Sequence, residues 1–106
     1  MKQYVVLPAV ILIGLMSGAF VAKQTVGQRG RAFSRDSIAV KTGESIAFLN
    51  DDTVPHNIAS ISKGNEFNLG SQPPGASTEV VFTEAGEVQV FCAIHPRMKL
   101  TVTVSD

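Results

Sequence analysis

Beyond its first two dozen residues the chain shows no sustained apolar repeat of period 3.6. Short runs rich in Val, Ile and Phe are instead separated by turn residues at fairly even intervals, a pattern that predicts strands. The runs fall at residues 37–40, 45–50, 56–61, 78–83, 88–91 and 100–104, with a shorter one near Ala32. Leu100, Val102 and Val104 alternate with Thr101, Thr103 and Ser105, so the last strand turns one face to a core and the other to water. Between the runs lie Lys41-Thr42-Gly43-Glu44, Asn50-Asp51-Asp52, Ser71-Gln72-Pro73-Pro74-Gly75 and Glu84-Ala85-Gly86-Glu87. Their Gly, Asn, Asp and Pro residues supply the backbone angles that turns require. Six or seven short strands of this kind predict an all-β sandwich.

The N-terminus follows another rule. Lys2 precedes an apolar run from Tyr4 to Ala22, and Ser17-Gly18-Ala19 resembles a small-residue cleavage site, so residues 1–22 read as an export signal peptide. The alternative is an uncleaved membrane anchor helix, because residues 5–22 carry no charge and Lys23 follows them. Either reading places the folded part outside the cytoplasm, in a bacterial cell the periplasm. Residues 23–31 read as a basic linker and residues 32–106 as the single domain.

Formal net charge is zero, but it is unevenly spread. Lys23, Arg29, Arg31 and Arg35 are basic without an acid among them, whereas residues 36–106 hold four bases against nine acids. An acidic body argues against nucleic acid as a partner. The basic stretch reads as a solvated linker more readily than as a lipid contact. There is no Gly-rich phosphate loop and no nucleophile elbow, so nucleotide and hydrolytic chemistry have no foothold.

Cys92 is the only cysteine, in a compartment where disulfides form readily, and cannot be paired within the chain. A lone exported thiol is liable to oxidation unless something such as a metal takes it as thiolate. Both histidines and one methionine stand near it in the pattern: His56 follows Pro55, and Cys92-Ala93-Ile94-His95-Pro96-Arg97-Met98 precedes the last strand. A thiolate, two imidazoles and a weak axial thioether make a trigonal copper site suited to electron transfer. Taken singly, Cys92 and Met98 would be core residues and either histidine a surface residue; it is their grouping that points to copper.

These residues resemble the cupredoxins. The short Cys-x₂-His-x₂-Met spacing is most similar to the amicyanin group, with plastocyanins and pseudoazurins more distant. The likeness extends from Ala32 to Val104 through Val40-Lys41-Thr42-Gly43-Glu44, Pro55-His56-Asn57-Ile58 and Phe82-Thr83-Glu84-Ala85-Gly86. It implies a Greek-key β-sandwich holding one copper ion on His56, Cys92, His95 and Met98. It also implies that Asn57 ties the two ligand loops together and that His95 is the electron exit, within an apolar patch to which Pro96 contributes. Two features depart from the family: Val88-Gln89-Val90-Phe91 lacks the usual tyrosine, and little chain precedes Ala32. Arg97 and Lys99 add a positive rim beside the exit, fit to steer an acidic partner face.

The expected function is therefore single-electron transport by a monomer, with no bond made or broken. The partners that the resemblance implies are a periplasmic dehydrogenase, methylamine dehydrogenase in the nearest case, and a c-type cytochrome. Copper delivery or storage is the alternative, although it usually calls for a Met- or His-rich surface, which this sequence lacks. Enzymatic catalysis is not expected, because a Cys92–His95 pair has no orienting third group.

Overall fold

The computed structural model describes residues 23–106. Within them run β1 (Gln24–Arg29), β2 (Ala32–Phe33), β3 (Ser37–Lys41), β4 (Ser45–Asn50), β5 (Ile58–Ser60), β6 (Phe67–Asn68), β7 (Ser77–Val81), β8 (Gly86–Cys92) and β9 (Lys99–Ser105). The period-two alternation explains how they pack. Ile38 and Val40, Ile46 and Phe48, Val88 and Val90, and Leu100, Val102 and Val104 all point inward, while the residues between them are exposed or half-buried.

Two sheets result, one ordered β3-β9-β8-β5-β6 and the other β2-β1-β4-β7. Their apolar faces enclose one core. A chain of aromatic rings runs through it: Phe48 lies 6.4 Å from Phe33 and 6.3 Å from Phe67, and Phe67 meets Phe82 edge-on at 6.1 Å. Two strands join their sheets in parallel, β9 beside β3 and β1 beside β4. Two antiparallel pairings matter for function. β5 lies on β8 with Ile58 opposite Cys92, and β8 continues against β9 with Phe91 opposite Lys99.

The sandwich thus has the expected architecture, with differences in detail. Residues 23–31 are not a linker: Gln24–Arg29 is an inner strand, pairing with β4 from Gln24↔Ile46 to Gln28↔Asn50. The reason is that Val26 and Gln28, both fully buried, alternate with outward-facing residues, and the basic side chains occupy only the outer positions and the turn. The folded unit accordingly begins near Gln24 instead of Ala32. The expected strand at 56–61 is cut to Ile58–Ser60, since His56 makes only an isolated bridge to Gln72 and Ile61 turns outward, 83% exposed. Phe67–Asn68 forms a short edge strand that the pattern did not announce. Among the described residues no helix is long and apolar enough to cross a membrane, and the leader lies outside them.

Phe48, fully buried and touching rings on both sides, is the most demanding core position. Phe48→Ala should cost about 3–5 kcal/mol of unfolding free energy. Urea titration would register this as a lowered midpoint with an unchanged slope.

Candidate metal centre

One end of the sandwich gathers the predicted side chains from two places. Ile58 pairs with Cys92, so the residues just before β5 and just after β8 are neighbours; Ala93 N–H donates to Asn57 O at 2.8 Å and extends the ladder. The loop from Cys92 to Met98 is drawn tight by two backbone bonds, Met98 N–H to His95 O at 2.9 Å and Cys92 N–H to Met98 O at 3.2 Å. Such a short closed loop leaves Cys92 and His95 facing the same point.

His56 arrives from the other side on a turn braced by buried amides. Its backbone exchanges two hydrogen bonds with Gln72, at 3.1 and 2.7 Å. The Asn50 amide donates to Val54 O and Gln72 O, and the Gln72 amide donates to Phe48 O on β4. Asn50, His56 and Gln72 are all buried, so this bracing is shielded from competing water.

The outcome is convergence. Cys92 Sγ lies 3.7 Å from both His56 Nδ1 and His95 Nδ1, and the two nitrogens are 3.2 Å apart. The point equidistant from the three atoms lies about 2.1 Å from each, close to the length of an imidazole–metal bond. Three lone pairs aimed at one point repel one another unless a cation lies between them, so the donor set fits a metal ion. One thiolate and two imidazoles suit copper. Met98, 2% exposed, closes the same loop through its backbone bonds to His95 and Cys92.

The four ligand residues differ in exposure. His56 and Cys92 are 0% exposed, whereas His95 is half-buried. His95 shares a shallow surface depression with Ile94, Pro96, Arg97 and Arg31. Lys99 is not in it; it lines a separate groove beside Gln89 and Phe91, which also touches Pro96. The positive rim at His95 is therefore made by Arg97 with Arg31, the latter from the segment read as a linker.

Asn57 connects the loops through its backbone. Its N–H donates to Cys92 Sγ at 3.4 Å and its carbonyl takes the Ala93 bond, while its side chain donates to Asn68 on β6 at 2.7 Å. One contributor escaped the sequence reading. His56 Nε2 lies 3.0 Å from Asp52 Oδ2, within hydrogen-bond distance. Asp52 also accepts from Arg31 N–H and Thr53 N–H, and these donors, Arg31 foremost, hold its carboxyl well below the usual carboxylate range. The only signal was a carboxylate four residues before His56, within a stretch otherwise read as a turn.

Residues 21–105 match the copper-binding proteins of the plastocyanin/azurin family. The chain belongs to that family.

Among its relatives is methylamine utilization protein MauL of Methylorubrum extorquens, 32% identical over 69 residues that cover 64% of this cupredoxin and 60% of MauL. Amicyanin of Paracoccus versutus is 29% identical over 83 residues, 74% of this chain and 62% of the relative. The match thus spans somewhat under two thirds of each relative's length. The crystal structure of that amicyanin superposes with a TM-score of 0.70 at 26% identity, covering 80% of this chain and 83% of its own. A purple cupredoxin from Nitrosopumilus maritimus superposes with a TM-score of 0.69 at 29% identity, covering 78% of this chain and 100% of its own.

The division of labour at Asn57 yields a prediction for this cupredoxin. Asn57→Ala should lose about 1 kcal/mol of stability with the Asn68 bond yet leave the copper–thiolate spectrum in place, because the sulfur bond comes from the backbone. Chemical denaturation and visible absorption of the same variant check both halves.

Proposed function

We propose that the chain is an exported, monomeric single-electron carrier, with His56, Cys92, His95 and Met98 as the ligands of its one copper ion. The observation that carries this reading is the convergence of one sulfur and two nitrogens within 3.7 Å of each other, at the end of a sandwich whose hydrogen bonds tie both ligand segments together. Copper bound there supplies a one-electron couple between Cu(I) and Cu(II). The chain's own contribution is to keep the ligands from rearranging. The backbone bonds in the 92–98 loop and the buried amides of Asn50 and Gln72 oppose any shift toward the geometry that either oxidation state would choose freely. Small rearrangement gives fast transfer. No substrate bond is made or broken, so the protein is a carrier and not an enzyme.

Electrons leave and enter at His95, the one ligand that reaches the surface. Ile94, 49% exposed, and Pro96 give a partner an apolar seat beside it, and Arg31 and Arg97 favour an acidic surround. Pro96 thus belongs to the exit patch, and Asn57 is the residue that joins the ligand loops. The likeness to amicyanin, and to a relative named for methylamine utilization, supports partners in amine oxidation: a periplasmic dehydrogenase as donor and a c-type cytochrome as acceptor. The apolar run before Lys23 supports export as the route to that compartment. Copper delivery fits the site less well, since His56, Cys92 and Met98 are buried and offer an acceptor no ligand to exchange.

Added to the metal-free protein, one equivalent of Cu(II) should develop an intense blue absorption with the narrow copper hyperfine splitting of a thiolate-bound site, and Cys92→Ser should abolish both. Pale, weakly held copper that the substitution leaves unchanged would contradict the electron-carrier reading.

A further inference from the structure

The second nitrogen of the buried ligand His56 meets a carboxylate, and that carboxylate is held by a hairpin outside the ligand loops. We propose that Asp52 is a positioning residue of the copper site: clamped by the Gly30–Arg31 hairpin tip, it fixes the tautomer of His56 and favours the oxidised state of the metal. This rests on the copper reading above.

The case begins with proton accounting. A neutral imidazole carries one N–H, and the nitrogen without it is the one free to bind a metal. His56 is fully buried, so no solvent reaches its ring, and the acceptor on Nε2 decides where the proton sits. An ionised carboxylate accepts and cannot donate. Asp52 Oδ2, 3.0 Å away, therefore keeps the proton on Nε2 and turns the Nδ1 lone pair toward Cys92 Sγ and His95 Nδ1. A carboxylate behind a ligating histidine also makes the ring a stronger donor, and its negative charge stabilises the more positive oxidised centre.

The carboxylate is itself fixed. Asp52 N–H donates to Asn50 Oδ1 at 2.9 Å, Thr53 N–H donates to Oδ1 at 2.9 Å, and Arg31 N–H donates to Oδ2 at 3.1 Å. Arg31 stands at φ 57° after Gly30 at φ 63°, the two-residue hairpin turn in which both central residues are left-handed. Arginine is a poor choice for that backbone, where glycine or asparagine is usual. The conformation is what aims the Arg31 N–H at Asp52, while its side chain lines the depression at His95. His95, at the surface, has no carboxylate partner among the described residues, so the two imidazoles are supported differently.

The test compares copper-loaded full-length protein with Asp52→Asn and Asp51→Asn. Both substitutions remove one negative charge, but Asp51 is exposed and paired with Arg29, not with a ligand. Asp52→Asn should weaken Cu(II) binding by about 10–100-fold, with a smaller effect on Cu(I) and hence an upward shift of the reduction potential; Asp51→Asn should leave both nearly unchanged. Equal shifts in the two variants, or none in either, would overturn the proposal. Should Asp52→Asn not fold, nitrogen-15 NMR of the metal-free wild type decides instead: a single His56 Nε2–H proton, slow to exchange, supports it, and an Nδ1–H ring or a rapidly exchanging proton overturns it. A blue spectrum with an unmoved potential would sink this inference alone, whereas a wild type that forms no blue site would sink the carrier reading and leave the tautomer measurement standing.

Discussion

Forcing one sulfur and two ring nitrogens to within 3.2–3.7 Å of one another is the constraint on which the rest of this small protein turns. The backbone opposes any separation of these donors. It does so with sheet pairing. The Ile58↔Cys92 register of β5 on β8 puts the two ligand segments side by side, and the bond from Ala93 to Asn57 carries the pairing to the rim. The apolar sandwich beneath supplies the stiffness, with Phe48, Phe67 and Phe82 packed in series and Val90, Cys92 and Met98 all part of one core.

Rigidity and access make opposite demands, and the ligands divide between them. His56, Cys92 and Met98 are buried, where dry surroundings strengthen each hydrogen bond that orients them. His95 alone is half-open, beside exposed Ile94 and Pro96. The same hairpin that passes behind His56 also brings Arg31 to the His95 depression. Its backbone faces the buried side of the site and its side chain the side where a partner would dock.

Much of this was legible in the sequence. Alternation in residues 100–104 and the even spacing of turns gave the sandwich, and the four ligand residues stood out because the only cysteine and both histidines lie in one short loop and one turn. Residues 23–31 were misread because four basic side chains in a short stretch looked like solvent-exposed chain, whereas only Val26 and Gln28 report the buried face. A strand with one buried valine and one buried glutamine has too weak an apolar period to announce itself. Asp52 was hidden for another reason. Asn50-Asp51-Asp52 is ordinary turn chemistry, and only the fold shows that one of its two carboxylates faces a ligand while the other pairs with Arg29. Hydrogen bonds made across long sequence separations, such as Gln72 to Phe48 or Arg31 to Asp52, leave no local pattern to read.

The central claim is that the scaffold holds the ligands in one geometry for both oxidation states of the metal. X-ray absorption at the copper edge, recorded on the oxidised and then the reduced protein, tests it most directly. One short sulfur and two nitrogen scatterers, at nearly the same distances in both states, is the result predicted. Loss of the sulfur, or a change in ligand number or a large lengthening on reduction, would contradict it.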